Sequence, residues 1–218
     1  GDGAVHHRTS VTAAEETAAD GRGHGVAATV VSGDVTDTDA VDTLVSDCEE
    51  TLGGVDVLVN AVGPLPGGRW DEIGFEAWQE TIAGCLYGTY LCSQRVLPGM
   101  RDREWGRIVN FGVADARDDR RVPENFPYFA AKRAVLSFTR TLAYDTQDDG
   151  ITVNAVSPFA VENTVVDGVD YPRGRPASFA DVAAPSPLLG ASAADYLARQ
   201  PVAVAAGRLR EARAGRWR

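Results

Sequence analysis

Tyr128 and Lys132 stand four residues apart in the stretch PYFAAKRAVLSFTRTLA, Pro127 to Ala143. On a helix, positions i and i+4 lie on one face, about one turn apart. The phenol and the ammonium therefore point the same way. A tyrosine with an ordinary pKa near ~10 is a poor acid or base at neutral pH. An ammonium one turn away stabilises the phenolate and draws that pKa down. The pair then suits proton exchange with a carbonyl/alcohol couple. Lys132 is also the only lysine in the chain; arginine supplies every other basic side chain. The planar fork of arginine does not replace a compact ammonium that can also donate to a sugar hydroxyl.

The elements that must carry this pair alternate along the chain. Short apolar runs predict strands at 4–7, 26–34, 55–63, 106–112, 151–158 and 201–207. Helical periodicity predicts helices at 12–20, 39–52, 75–98, 128–146 and 191–199, with Thr12/Glu15 and Thr36/Asp39 at capping-box spacing. Alternation of this kind is the sign of βαβ units and a parallel sheet. VDVLVNAVG (55–63) is almost continuously apolar, as a strand covered on both faces should be. The polar segment 113–126 reads as a loop. Segment 160–185, rich in Gly, Pro, Asp and Val, reads as a long irregular loop, functional or disordered.

Taken in order, GDV (33–35), VDVLVNAVG (55–63), GRIVNFG (106–112), the Tyr128/Lys132 helix and GITVNAVSP (150–158) resemble the short-chain dehydrogenase/reductase family. The nearest likeness is to its 3-oxoacyl-acyl-carrier-protein reductase-like branch. The resemblance covers about residues 3–207. It implies a doubly wound, Rossmann-type α/β fold, a nicotinamide cofactor and hydride transfer. It makes Tyr128 the general acid/base, with Lys132 lowering its pKa and holding the nicotinamide ribose. Asp34 and Val35 would meet the adenine, and Asn60, Ala61 and Gly63 would pack along the cofactor. The strand end from Val153 to Pro158, with Val161 beyond it, would line the nicotinamide side, and 160–185 would form the substrate lid. A homodimer or homotetramer through helices 75–98 and 128–146 is the assembly that the resemblance implies.

Three departures qualify the resemblance. The family's glycine-rich turn, which holds the pyrophosphate between its first strand and helix, is missing. Gly21, Gly23 and Gly25 lie between a helix and a strand, the wrong order to replace it. The chain opens at what resembles the family's second strand, so the expectation is a truncated domain over 1–207 whose sheet lacks its central strand. Next, the stretch Arg107–Pro127 contains no Ser, Thr or Tyr where the family has its catalytic serine. Val113 or Asp115 takes that place, and Asp115, if protonated, or Asn125 is the candidate substitute donor. Last, Cys85 aligns with the family's relay asparagine, and Phe159 stands where SPG is usual. A second expectation is therefore a degenerate homologue that binds nucleotide or a partner without turnover.

Arg8 and Ser10 follow the first strand, where NAD-preferring members carry an acid. Arg8 suits a 2′-phosphate, so the sequence predicts NADP rather than NAD. The net charge of −10 and pI of about 4.7 argue against nucleic acid. The acidity also matches either a high-salt cytoplasm or GC-rich codon drift. No run approaches the ~18–20 apolar residues of a membrane span, and the start carries no signal-peptide pattern. The expectation is a cytoplasmic protein. Cys48, Cys85 and Cys92 form no CxxC and have no histidine at ligand spacing, so they predict reduced thiols and no metal site. The arginine-rich tail, 208–218, reads as a solvated terminus.

Overall fold

The computed structural model describes residues 1–114, 123–163, 171, 174–185, 189 and 201–204. Every strand pairing is parallel. β1 (Gly3–His7) pairs with β2 (Ala28–Ser32) in a two-stranded sheet. β3 (Val57–Asn60), β4 (Gly106–Phe111), β5 (Ile151–Pro158) and β6 (Pro201–Val204) form a second sheet in that order. β1 has no sheet partner besides β2, and β3 none besides β4, among the described residues. The separation falls where the resemblance puts the absent central strand.

Helices join these strands: α1 (Val11–Gly23), α2 (Thr38–Leu52), α3 (Phe75–Ile82), α4 (Gly88–Asp102), α5 (Phe126–Asp145) and α6 (Phe179–Ala183). The main core spans both sheets. Val31 of β2 and Val41, Leu44 and Val45 of α2 share it with Val96 and Met100 of α4, Ile108 of β4 and Val153 of β5. Arg95 of α4 locks onto α2, donating to Asp42, Ser46 and Glu49. The helical layer thus holds the two sheets together without a strand between them.

β3 departs from its expected burial. Val57 and Val59 are 41 % and 48 % exposed, whereas β4 is buried from Gly106 to Asn110. An apolar run has the composition of an inner strand, but a strand with a neighbour on one side only cannot be covered like one. β3 is instead tied into its sheet by a buried polar chain. Asn60 donates to Asn110 at 2.9 Å, and Asn110 donates to Thr139 of α5 at 2.9 Å.

The expected 75–98 helix is interrupted by a π-helical turn at Ala83–Tyr87 and runs past Pro98 to Asp102. Pro98 forfeits one helical hydrogen bond, but Pro98 and Gln94 both face solvent, where the freed carbonyl meets water. Leu97 and Met100, both buried, hold the continuation down. Neither capping box forms. Ser10 precedes α1 and makes no side-chain cap. Asp37 caps α2 through Ala40 N–H, because the Thr36 hydroxyl is already committed to Asp34 at 2.7 Å. A capping box does form within the segment read as irregular, between Ser178 and Asp181 at the start of α6. The expected 191–199 helix, residues 164–170 and 172–173 of the 160–185 lid, residues 205–207 and the 208–218 tail lie outside the described residues.

Candidate active site

α5 sets the reactive pair. Asn125 precedes it in the left-handed region at φ 54°, a conformation asparagine tolerates. Pro127 then falls in the first helical turn, where a missing N–H costs nothing. Tyr128 and Lys132 follow on one face, with Lys132 Nζ 5.7 Å from the Tyr128 ring centre. Lys132 is 2 % exposed. Its ammonium donates to the Phe111 carbonyl at 2.8 Å and the Val62 carbonyl at 3.3 Å. Those acceptors end β4 and follow β3, so the cation sits under the C-terminal rim of the sheet.

Gly63 and Cys85 close around it. A Cβ on Gly63 would lie 3.0 Å from Lys132 Nζ and 3.3 Å from Cys85 Sγ. Cys85 is fully buried in the π-helical turn, and its carbonyl accepts from the Thr89 hydroxyl at 2.8 Å. Burial pushes the Cys85 thiol up, with Lys132 pulling the other way. The expected lowering of the Tyr128 pKa is not what this geometry produces. Burial, with a smaller push from Cys85, raises the phenol to about 12. The reason is distance and direction: the ammonium aims its protons at two carbonyls rather than the phenol. Burial likewise lowers the pKa of Lys132.

A cavity of about 730 Å³ opens beside this group. His6, His7, Arg8, Thr9 and Ser10 line one wall and Asp34, Val35 and Thr36 the next. Val62, Pro64, Ala83 and Gly84 form the wall sequence-adjacent to Gly63 and Cys85. Strand ends facing one crevice are where open α/β sheets take ligands. Arg8 Nη1 lies 3.4 Å from Asp34, and Asp34 also accepts from the Thr36 N–H and hydroxyl. Those Thr36 bonds, more than Arg8, hold the Asp34 carboxyl below its ordinary range against the opposing effect of burial. Arg8 reaches the cavity together with the uncapped N-terminus of α1, whose first N–H groups have no helical acceptor. This donor set fits a phosphorylated nucleotide. The opposite wall carries Glu76, Gln79 and Glu80 of α3, and the sequence has no glycine-rich turn between a strand and a following helix to face a pyrophosphate there.

The remaining sequence candidates separate. Asn60 spends its amide on Asn110 and Ser93 in the interior. Ala61 is exposed beyond it. Val35 is buried against Gly88, where a Cβ would come within 2.6 Å of its Cγ2. Pro158 ends β5 beside Val204, and Val161 bridges to Ala177 and packs on a second small core with Val182 and Leu189. Of the two candidates for the place of the family serine, Val113 is buried and Asp115 lies outside the described residues. Asn125 is fully buried with neither amide atom hydrogen-bonded. No group of three His, Cys, Asp or Glu side chains gathers as metal ligands among the described residues. No described helix is long and apolar enough to cross a membrane.

Sequence reasoning missed three features. The Val62 and Phe111 carbonyls carry no side-chain signal. The α3 carboxylates reach the cavity only through tertiary packing. Ser157, whose buried hydroxyl is unpartnered, lies where a Cβ on Gly112 would come within 2.6 Å of it; the glycine in NFG is the one trace of that close approach.

Comparison with known proteins bears on family and fold. The chain is 34 % identical over 155 residues to a 3-oxoacyl-[acyl-carrier-protein] reductase of Synechocystis sp., covering 71 % of this chain and 62 % of that one. It is 38 % identical over 140 residues to an inactive 2-(S)-hydroxypropyl-CoM dehydrogenase 2 of Xanthobacter autotrophicus, covering 64 % and 60 %. The chain thus spans between half and two thirds of the length of the curated relatives it matches. Among solved structures, acetoin dehydrogenase from Salmonella typhimurium superposes with a TM-score of 0.84 at 25 % identity, covering 94 % of this chain and 85 % of that one. A gluconate 5-dehydrogenase from Burkholderia cenocepacia, in complex with NADP and tartrate, shares the fold at a TM-score of 0.82 and 24 % identity, covering 94 % and 84 %. The family model described as short chain dehydrogenase matches residues 3–171, and the chain belongs to that family.

Proposed function

We propose that this protein transfers a hydride between NADP(H) and a carbonyl or alcohol substrate, in the manner of a 3-oxoacyl-acyl-carrier-protein reductase or related ketone reductase. The observation that carries the reading is Lys132. A buried ammonium is expensive to desolvate, and an apolar side chain would fill the same space more cheaply. Its position under Tyr128, at the rim of a strand-end cavity, supports a role in chemistry. When bound, the dinucleotide would supply the hydride. Tyr128 holds the proton that the reduced carbonyl oxygen takes up. Lys132 fixes the floor beneath it and offers a third N–H to a ribose hydroxyl. Asp115 is the candidate to replace the missing hydroxyl donor.

Arg8, Ser10 and the open end of α1 support NADP over NAD. Arg8→Ala should weaken NADPH binding roughly tenfold, the scale of one charged hydrogen bond, and leave NADH binding unchanged; fluorescence titration with both cofactors reads this directly. Exposed Tyr87, Tyr90 and Tyr144 support a homodimer or homotetramer through α4 and α5. Free cysteines and the lack of a long apolar helix among the described residues accord with the cytoplasm.

A second reading has its own observation. Val113 or Asp115 takes the serine position and Cys85 the asparagine position by resemblance, and one relative is named inactive. On that reading the chain binds nucleotide without turnover. Steady-state reduction of acetoacetyl thioester by NADPH separates the two. Under the first reading Tyr128→Phe abolishes turnover while NADPH still binds. Equal rates in Tyr128→Phe and the parent overturn it, and binding with no turnover in either supports the second.

A further inference from the structure

The segment that follows β3 is tethered on both sides of Tyr128. At one end Gly63 packs on Lys132, where a Cβ would lie 3.0 Å from Nζ. Pro64 packs on the turn that carries Cys85, since a Cβ on Gly84 would come within 2.7 Å of its Cδ. At the other end the chain is clipped to the residues that enter α5. Asn125 N–H donates to the Gly68 carbonyl at 2.8 Å, and Trp70 N–H donates to the Pro123 carbonyl at 2.9 Å. Arg69 and Glu124 form an antiparallel bridge between these two bonds. Gly67 and Gly68, at φ 73° and 102°, supply the left-handed backbone that brings the chain to this clip. The Asn125 carbonyl accepts from Phe129 N–H at 3.2 Å, so residue 125 stands at the head of the tyrosine helix.

Lys132 lies four residues past Tyr128 and Asn125 three before it. The two anchors are therefore about 10 Å apart along the helix axis. The five residue steps of the strap 63–68 reach at most about 17 Å. The strap must run alongside Tyr128, with Leu65 and Pro66 at its middle. Prolines flank Leu65 on both sides. Their fixed φ stiffens the strap, and their missing N–H groups leave the Leu65 N–H as the one main-chain donor among the three residues. Pro64 lines the strand-end cavity, and Leu65 is 40 % exposed. A single exposed leucine is ordinary on a protein surface. This one is held on a stiff strap beside the reactive phenol, where it offers apolar surface to whatever that phenol serves.

We propose, resting on the reductase reading above, that Leu65 is the specificity-determining residue of this site. It takes the apolar substituent on the substrate's carbonyl carbon, and the substrate class is a ketone with an extended aliphatic chain, or the corresponding alcohol. The strap is a fixed wall rather than a moving lid, because both of its ends are packed and hydrogen-bonded.

The experiment compares NADPH-dependent kcat/KM for methyl hexyl ketone and methyl ethyl ketone, which differ by four methylenes. One methylene taken into an apolar pocket is worth about tenfold or more, so the parent should favour the longer ketone by at least about tenfold. Leu65→Asn keeps a branched side chain and removes its apolar surface, and the ratio should fall to about one. The ratio does not depend on how much of the enzyme is folded, so a merely structural role for Leu65 would not move it. A ratio near one in the parent, or a high ratio that survives Leu65→Asn, overturns the proposal. Methyl NMR gives a readout without turnover, with the Leu65 methyls assigned by their loss in Leu65→Asn. A saturable shift of these methyls when methyl hexyl ketone is added to the protein with NADP+ supports the proposal even where no reduction is detected, so its failure and failure of the reductase reading are distinguishable. No shift overturns it. A shift that follows protein concentration without ketone overturns it in favour of self-association.

Discussion

Lys132 Nζ donates to the Phe111 carbonyl at 2.8 Å, so the only lysine in the chain fastens the tyrosine-bearing helix to the end of β4. The contact is structural and chemical at once: it orients the ammonium and also closes the sheet rim. Variants at this position should therefore affect folding as well as reduction.

Lys132→Met leaves the Phe111 and Val62 carbonyls without their donor. An unsatisfied buried acceptor costs roughly 1–3 kcal/mol, set against relief from burying a charge. The expected net result in urea unfolding is a small change in midpoint, with NADPH reduction lost. A large gain in stability with activity retained would contradict the assigned role.

Gly63→Ala places a methyl 3.0 Å from Lys132 Nζ and 3.3 Å from Cys85 Sγ. Overpacking of this kind costs typically ~1–3 kcal/mol. The midpoint in urea should fall by that amount divided by the m-value. Gly63→Ala combined with Cys85→Ala should recover part of the loss, since one of the three crowding atoms is removed.

Alkaline stability should carry the mark of Tyr128. Its pKa is raised by burial from about 10 in the unfolded chain to about 12 in the folded one. The folded state then holds the proton more tightly, so the associated stability is complete below about pH 10 and is lost as pH rises toward about 12. Lys132, lowered by burial, acts with the opposite sign: its contribution falls as pH drops through its folded pKa. Urea midpoints followed from pH 9 to 12 should drop more steeply for the parent than for Tyr128→Phe. Parallel curves would mean that the phenol is not desolvated.

Val113→Ser puts a hydroxyl at one of the two positions, with Asp115, that could take the place of the family serine. A donor aimed at a developing oxyanion is worth about 10²–10³ in rate. NADPH-dependent reduction by Val113→Ser should exceed that of the parent by up to that factor, and the gain should vanish in the Val113→Ser/Tyr128→Phe double variant. A gain that survives loss of the tyrosine would indicate a different proton source.

Cys85→Asn tests the other substitution. The added amide enters a fully buried position beside Gly63 and Lys132, so destabilisation by roughly 1–3 kcal/mol is expected from overpacking. Thermal melting compared with Cys85→Ala separates this from simple loss of the thiol.

The linear order of residues was enough to determine the parallel α/β architecture, because strand-length apolar runs and helix-length periodic runs alternate along the chain. It was also enough to put Tyr128 and Lys132 on one helical face, since i,i+4 spacing is a property of the helix alone. It located the interruption between β1 and β3 through an absent glycine-rich turn. Only the tertiary structure decided what Lys132 does with its protons, because its acceptors are backbone carbonyls 21 and 70 residues away in sequence. The same holds for Asn60, whose amide is committed to Asn110, 50 residues on, and for the raised pKa of Tyr128, which follows from burial. The exposure of Val57 and Val59 is the clearest case: composition dictates what a strand can tolerate on its faces, while the presence or absence of a neighbouring strand dictates what covers them.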